Sequence, residues 1–241
     1  MTAFDKYGFP EGSGIFTTIR TIDNHVIALN RHMRRVLTSA GELGMKIADE
    51  ESIRREIVEL LSNQPYESGR LRLCFSSDSH HFSHSSYEPT EEPARITFWS
   101  DSVDVEEPVH KRYPYTDRLA IRESAQFEGY DDALLFNKRN EVSETSVSNI
   151  VLRINDQWVT PPISAGILPG IMRQIAIEEC GVLVRAIHVS EIPEVTSAFL
   201  LSSLRIAQPV SHIGDFKVEI GEPSQVFEAK MREKAIPVSV S

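Results

Sequence analysis

Apolar and polar positions along the chain change period several times, and each change predicts a new element. A glycine-rich turn at residues 11–14 opens the β-rich run 15–20. From Asn30 to Gly44, apolar residues recur every three or four positions, which predicts a helix capped by Asn30, and Asp49 caps a second helix. The chain therefore mixes helices with strands, the further strands being predicted at residues 26–29, 71–75, 96–99, 150–154, 158–160 and 198–201.

A hairpin pattern occupies the middle of the chain. Residues 133–136 are all apolar, residues 137–140 have turn composition, and strand character resumes at Val142 and continues to Ile150. Glu144 therefore lies in or beside a strand. Because burying an unpaired carboxylate costs roughly several kcal/mol, three explanations stay open: a structural salt bridge, a strand face turned to water, or a functional site.

Two polar stretches interrupt this pattern. Residues 77–93 are rich in Ser, His, Glu and Pro without periodicity, which predicts a long polar loop. His80, His81 and His84 lie in it, but no cysteine completes a ligand set, and we predict no metal site. The acidic stretch 101–114 is predicted to join two α/β layers.

Two short motifs near the end of the pattern can bind an anion. Pro169 and Gly170 lead into a predicted helix that ends at Gly181. The backbone amides and positive dipole end of such a helix start suit phosphate. Ser202 and Ser203 follow the last predicted strand, where their hydroxyls can cap a turn or meet an anion.

Composition narrows the function classes. The 241 residues are 41% hydrophobic, enough for a substantial core. An excess of 35 acidic over 25 basic residues gives a net charge of -10, which opposes nucleic acid and anionic membranes. Cys74 and Cys180 form no disulfide framework, and the start of the chain lacks a signal pattern. We expect a cytoplasmic protein with no membrane span.

The order of the short motifs is more specific than any one of them. Together they resemble the class IV aminotransferase family, over residues 11–210 of this chain. The family is dependent on pyridoxal 5'-phosphate (PLP), has fold type IV, and includes branched-chain and D-amino acid aminotransferases and aminodeoxychorismate lyase. The motifs that carry the resemblance are residues 16–20, 32–36, 129–135, 142–150 and 168–173.

The resemblance implies roles for individual residues. It assigns Glu144 to the pyridine nitrogen of PLP and Arg35 to its phosphate. A carboxylate keeps the ring nitrogen protonated, which makes the ring a better electron sink, and a guanidinium offers a fork of donors to phosphate. By the same resemblance the backbone of Ile171 and Met172, together with Ser203, completes the phosphate cup. Without it, Arg35 would be interpreted as part of a solvated helix face.

The lysine that the family bonds to PLP is predicted to be Lys111, which has the family's spacing before Asp131. The Thr/Ser and Asn/Arg run that usually follows this lysine is matched by residues 116–118 only after a three-residue shift. That shift puts Pro114 at the lysine position and implies a non-catalytic PLP-binding relic. Lys138 lies in the predicted hairpin turn and is interpreted as solvated. We favour Lys111, because this assignment preserves the helix length of the family and supplies the amine that the chemistry needs.

The reaction is predicted from two short matches. Phe16-Thr17-Thr18 and the segment 203–210 look more like aminodeoxychorismate lyase, which converts 4-amino-4-deoxychorismate to 4-aminobenzoate and pyruvate in folate biosynthesis. The alternative is an aminotransferase that acts on D- or branched-chain amino acids with a keto acid as acceptor. In both cases the partner is a small-molecule amino substrate.

The predicted architecture is a two-domain α/β (α+β) protein of PLP fold type IV. A smaller N-terminal α/β domain covers residues 1–105, an interdomain joint residues 106–118, and a larger C-terminal pseudo-barrel domain residues 119–241. The resemblance implies that PLP lies between the domains and that the protein is a homodimer.

Overall fold

The structure is a computed structural model that describes residues 3–103 and 109–240. These residues form two compact units, and the chain passes between the units more than once. The described parts of unit 1 are residues 3–89, 110–115 and 236–240, and those of unit 2 are residues 90–103, 109 and 116–235. The predicted domain boundary near Val105 falls outside the described residues and stays a prediction.

Helices and strands are mixed along the chain, as the sequence pattern predicts. The helices are α1 (Leu29–Glu42), α2 (Glu50–Asn63), α3 (Thr116–Phe127), α4 (Ile171–Cys180) and α5 (Glu222–Lys234). The strands are β1 (Gly14–Ile22), β2 (His25–Ile27), β3 (Ser68–Phe75), β4 (His80–Ser86), β5 (Ala94–Phe98), β6 (Arg112–Tyr113), β7 (Asp132–Phe136), β8 (Val142–Thr145), β9 (Asn149–Ile154), β10 (Gln157–Thr160), β11 (Leu183–Val184), β12 (Ser197–Leu201), β13 (Gln208–Ile213), β14 (Phe216–Lys217) and β15 (Pro237–Val238).

Unit 1 is an antiparallel sheet organised around β1. The strand order is β15-β2-β1-β3-β4, and β6 also pairs with β1. Strands β1 and β3 are in register from Ile15 opposite Phe75 to Ile22 opposite Ser68. Apolar residues at helical spacing on α1 and α2 pack with alternate strand residues into one core, whose fully buried members include Ile19, Met33, Ile57 and Leu71.

The starts of α1 and α2 test the two predicted caps. Helix α1 begins at Leu29, after Ala28 in the left-handed conformation at φ 56, so the prediction that Asn30 is the cap is wrong. Asn30 Oδ1 instead accepts a hydrogen bond from Arg54 Nη2 at 2.7 Å. Asp49 caps α2 as predicted, because its side chain accepts a backbone N–H of the first turn. A tertiary partner therefore outcompetes local capping at Asn30.

The predicted loop at residues 77–93 is wrong at residues 80–86, which form strand β4. Strand β4 pairs with β3 from Gly69 opposite Ser86 to Phe75 opposite His80. Its buried positions alternate, with Phe82 and His84 inward. The sequence hid this period because serine and histidine occupy positions where a half-buried strand usually has apolar residues.

The three histidines of this segment have different partners. His80 Nε2 lies 2.7 Å from Glu56 Oε2, and the ring of His81 meets that of Phe4 edge-on at 4.7 Å. His84 is buried in unit 1. Within residues 3–103 and 109–240, no three potential metal-ligating side chains come together.

Unit 2 is built on a larger sheet. The strand order is β11-β10-β9-β12-β13-β5-β7-β8, with β14 paired to β13. The predicted hairpin is confirmed: β7 and β8 are antiparallel, with Leu134 opposite Thr145 and Phe136 opposite Val142. The residues that pack this sheet's core are fully buried, among them Leu134, Ile150, Leu200 and Val210.

The chain between β8 and β9 differs from the prediction of one continuous strand. Residues 146–148 form a bend, in which Thr145 N donates to Ser148 O at 2.8 Å. Beyond it, β9 and β10 are joined by the predicted turn, with Asn155 and Asp156 at φ 49 and 61. Helix α4 also ends as predicted, before Gly181 in the left-handed region at φ 79.

None of the helices in the described part of the chain has the length and apolarity needed to cross a bilayer.

Stability should depend on pH through the buried histidines of unit 1. His84 Nε2 lies 2.8 Å from Thr21 Oγ1 and Nδ1 lies 2.7 Å from Gln64 O. Burial lowers the pKa of His84, and burial also lowers that of His32, with the charges of Arg35 and Lys111 adding to the effect at His32. The neutral ring is thus favoured on folding, so this stability is present above about pH 6.5 and is lost as the pH falls below it.

We expect the free energy of unfolding of the wild type, measured with urea, to fall as the pH is lowered from about 7.5 to about 5.5. In His84→Gln this fall should be smaller, by up to about 1 kcal/mol. The control is His25→Gln, because His25 is exposed on β2. Equal pH dependence in all three proteins would contradict a contribution from His84.

Candidate active site

Lys111 is fixed in unit 1 by the pairing of β6 with β1. Phe16 N donates to Lys111 O at 2.8 Å, just beyond the β6 residues that pair with Gly14 and Ile15. Lys111 Nζ lies 4.7 Å from the ring centre of Phe16 and 4.7 Å from that of Tyr115. The main chain and the amine of Lys111 are therefore both held at Phe16, and the two aromatic faces attract the amine when it is protonated.

Arg35 lies beside the same stretch of β1. Its Nη2 donates to Thr17 Oγ1 at 3.1 Å, and His32 Nδ1 lies 2.6 Å from that same oxygen. Positions 32 and 35 are three residues apart on α1, so both side chains leave the helix on one face. We call Phe16, Thr17, His32, Arg35, Lys111 and Tyr115 the amine cluster.

The proximity of these groups shifts their pKa values. Burial lowers the pKa of Arg35 to about 10, an effect that the phenol oxygen of Tyr115 partly offsets. Burial lowers the pKa of His32 well below its ordinary value, and the charges of Arg35 and Lys111 lower it further. At neutral pH the cluster thus contains a neutral His32 and a positively charged Arg35.

Glu144 is the buried acid of unit 2. Glu144 lies on β8, and its side chain is 9% exposed. Oε2 accepts hydrogen bonds from Asn149 Nδ2 at 2.9 Å and from Leu168 N at 3.2 Å, and Oε1 lies 3.3 Å from Arg118 Nη2. These partners offset the desolvation that makes a buried carboxylate costly. We call Arg118, Glu144, Asn149 and Leu168 the carboxylate cluster.

A second guanidinium lies within electrostatic range of Glu144. Burial lowers the pKa of Arg173, and the charge of Glu144 raises it. Arg173 itself is held by Pro161 O, which accepts from its Nη2 at 2.6 Å, and by Thr160 Oγ1 at 3.3 Å from its Nε. Both arginines favour the ionised form of Glu144.

The carboxylate cluster is joined to the start of α4 by Asn149. The bend at residues 146–148 returns the chain so that Asn149 Nδ2 donates both to Glu144 and, at 3.0 Å, to Leu168 O. Gly170 follows, and a Cβ added there would overlap Asn149 Oδ1. Only glycine leaves room for this amide, so Asn149 and Gly170 depend on each other.

Ile171 and Met172 open helix α4 directly after Gly170. Both residues are buried, at 3% and 1% exposure. Backbone N–H groups in a first helical turn lack intrahelical acceptors and lie at the positive end of the dipole. Ser203 also belongs to unit 2 and lies in the turn that follows β12.

The structure thus groups the predicted residues by unit. Lys111 and Arg35 come together in unit 1. In unit 2, Asn149 and Leu168 link Glu144 to the helix start that contains Ile171 and Met172. The roles of these residues toward a cofactor stay predictions.

Several contacts of the site carry no sequence signal. The contacts of Thr17 with His32 and of Glu144 with Arg118 span distant segments, which no periodic pattern reveals. Asn149 is the exception, because an amide five residues after a buried acid, across a short bend, is a detectable partner.

Asp132 is a second buried acid that sequence reasoning missed. It is 0% exposed and accepts from Thr145 Oγ1 at 2.9 Å, from Ser146 N at 3.0 Å and from the Ser146 hydroxyl. Arg205 Nη1 lies 3.7 Å away. Asp132 thereby holds the bend that follows Glu144.

Comparison with known proteins decides the family. The family model of class IV amino-transferases matches residues 14–213. The chain belongs to the class IV aminotransferase family. The predicted fold class and the prediction of an enzyme of this PLP-dependent family are thus confirmed.

Two relatives of this class IV chain carry different names. A Schizosaccharomyces pombe protein named "Putative aminodeoxychorismate lyase" is 28% identical over 173 residues, which cover 70% of this chain and 74% of that protein. A Methanocaldococcus jannaschii protein named "Putative branched-chain-amino-acid aminotransferase" is 26% identical over 198 residues, which cover 74% and 68%.

The fold is shared with a Mycobacterium tuberculosis structure described as a hypothetical aminotransferase in PLP-bound form. The TM-score is 0.84 at 18% identity, and the match covers 94% of this chain and 90% of that one.

Gly170→Ala should disturb the carboxylate cluster. Because the new methyl group overlaps Asn149 Oδ1, we expect a loss of about 1–3 kcal/mol in the free energy of unfolding, measured with urea. The matched control is Gly41→Ala on α1, where a Cβ meets nothing within 4 Å and should stabilise by up to about 1 kcal/mol. Equal stability of the two variants would refute the dependence of Asn149 on Gly170.

Proposed function

We propose that the protein binds PLP and converts 4-amino-4-deoxychorismate to 4-aminobenzoate and pyruvate. The cofactor assignment is supported mainly by one observation. The amine of Lys111 lies against Phe16, and the guanidinium of Arg35 binds the next residue, Thr17. The Phe-Thr-Thr run at residues 16–18 and the similarity to the S. pombe relative favour the lyase reaction. A homodimer is part of the same proposal.

A cytoplasmic location is also part of the proposal. Cys74 and Cys180 are both free and buried, which agrees with a reducing compartment.

The residues present fit the three polar groups of PLP. The half-buried guanidinium of Arg35 and the N–H groups of Ile171 and Met172 are donors suited to a phosphate. Glu144 is a buried acid suited to a protonated ring nitrogen, and Lys111 supplies a primary amine. When bound, PLP supplies the electron sink that stabilises negative charge at the substrate Cα.

Lys111 would carry out the proton transfer. Its Nζ would accept the proton from the substrate Cα as general base, which requires the neutral amine. The rings of Phe16 and Tyr115 restrict where that atom can lie. Phe9 packs edge-on against Phe16 at 4.7 Å and extends the aromatic surface beside the amine cluster.

Glu144 would hold a proton at the ring nitrogen. Arg118 favours its ionised form, and Asn149 and Leu168 keep Oε2 in place. A carboxylate fixed in this way can accept a hydrogen bond from the ring nitrogen without reorganising at the moment of reaction.

An aminotransferase acting on D- or branched-chain amino acids is the second candidate. It is favoured by the similarity to the M. jannaschii relative, which covers a slightly larger share of this chain than the S. pombe one. The cofactor assignments are the same for both candidates, so the choice depends on the substrate.

Lys111 should be the residue that carries PLP. Borohydride reduction followed by peptide mass mapping should find the cofactor on Lys111, because its amine lies against Phe16, next to the threonine that binds Arg35. Lys111→Met should abolish the modified peptide and activity. Lys138→Met, in the hairpin turn, is the matched control and should leave both unchanged.

Finding the cofactor on another lysine would refute the role of Lys111. Tight PLP binding with no modified lysine would instead support the alternative in which Pro114 occupies the lysine position.

The reaction class can be tested with one substrate alone. A lyase needs no acceptor, so the protein should release pyruvate and 4-aminobenzoate in equal amounts from 4-amino-4-deoxychorismate over many turnovers. A coupled pyruvate assay and fluorescence of 4-aminobenzoate measure the two products.

An aminotransferase needs a keto acid for every turnover. Amino transfer from D- or branched-chain amino acids to 2-oxoglutarate, without pyruvate release from 4-amino-4-deoxychorismate, would therefore reject the lyase and establish the second candidate.

A further inference from the structure

The hydroxyl of Thr17 is a buried junction between Arg35 and His32. Thr17 and His32 are both 0% exposed. The hydroxyl oxygen lies 3.1 Å from Arg35 Nη2 and 2.6 Å from His32 Nδ1. The hydroxyl group of Thr17 therefore connects the guanidinium of Arg35 directly to the imidazole of His32.

The direction of these two hydrogen bonds follows from the donors available. A guanidinium only donates, so Thr17 Oγ1 accepts from Arg35. The hydroxyl has a single hydrogen, and in this buried position it is satisfied if it is donated to His32 Nδ1. His32 is then neutral at Nδ1 and carries its proton on Nε2.

This arrangement restricts the guanidinium of Arg35. An arginine on a helix surface has several rotatable bonds and can spread its charge over many positions. Here one Nη is tied to a hydroxyl that is itself oriented by a ring fixed in the core. The remaining N–H groups of the planar fork therefore point in defined directions.

We propose that Thr17 and His32 are positioning residues that orient Arg35 toward the phosphate of the cofactor. This inference rests on the proposed binding of PLP and deepens it, because it explains how a flexible side chain becomes a phosphate-selective one. In this proposal Thr17 acts through its hydrogen bond with Arg35.

The fold supplies a matched control on the same strand. Thr21 is also 0% exposed on β1, and its hydroxyl lies 2.8 Å from Nε2 of a buried histidine, His84. Thr17→Val and Thr21→Val thus each remove one buried threonine–histidine hydrogen bond and retain the side-chain shape. Of these two threonines, Thr17 is the one whose hydroxyl contacts Arg35.

The experiment compares PLP with pyridoxal, which lacks the phosphate, by absorbance titration of the purified protein. In the wild type we expect PLP to bind much more tightly than pyridoxal. Thr17→Val should weaken PLP binding roughly tenfold and leave pyridoxal binding within about twofold, because only the phosphate contact is misaligned. Thr17→Ser keeps the hydroxyl and should restore PLP affinity.

Thr21→Val should lose stability comparably to Thr17→Val, as seen by thermal unfolding, but keep the wild-type preference for PLP. If Thr17→Val does not fold, Thr17→Ala removes the same hydroxyl with a smaller side chain and allows the same comparison. Arg35→Ala sets the scale, since it removes the phosphate contact itself.

The outcomes separate this inference from the proposed function. If the wild type binds neither PLP nor pyridoxal, the proposed function fails. If Arg35→Ala loses the preference for PLP while Thr17→Val retains it, the proposed function stands and the positioning role is overturned. Equal losses for PLP and pyridoxal in Thr17→Val would also overturn it, because they indicate a general structural defect.

Discussion

Accommodating the buried carboxyl group of Glu144 is the constraint to which several segments of unit 2 are fitted. A carboxylate removed from water must be met by donors, and the three that meet it come from three separate segments: the start of α3, the start of β9 and the residues before α4. Gly170 has no side chain because Asn149 fills that space. Asp132 then fixes the bend that brings Asn149 back. The surroundings of one buried carboxyl group thus involve three segments and the bend between β8 and β9.

In unit 1 the corresponding constraint is to hold the long side chains of Lys111 and Arg35 in place. Lysine and arginine side chains lose considerable entropy when they are held in one place, so each needs several partners. The central strand β1 supplies them from consecutive residues: the ring of Phe16 for Lys111 and the hydroxyl of Thr17 for Arg35. The pairing of β6 with β1 and the packing of α1 on the same sheet bring both cations to that one place.

The sequence predicts elements whose signal is local. The helix period of α2 and α4, the glycine after α4, the turn at Asn155 and the hairpin around residue 139 all depend on neighbouring residues, and the structure has them. Strand β4 was hidden because histidine and serine replace its apolar residues, and Asn30 failed as a cap because Arg54 binds its side chain. The contacts of Thr17 and Glu144 are long-range, so only the fold shows them.

The last strand of unit 1 has a consequence for the order of events during synthesis. β15 pairs with β2, and Val240 is buried in the core that α1 and α2 share with the sheet. The edge of β2 is therefore covered only after residues 237–240 have been synthesised. A ribosome-bound chain must hold unit 1 incomplete while all of unit 2 emerges, and the loop-closure entropy of joining segments so far apart favours slow completion of this sheet. Its exposed edge at β2 is then a point at which a chaperone or a second nascent chain can pair.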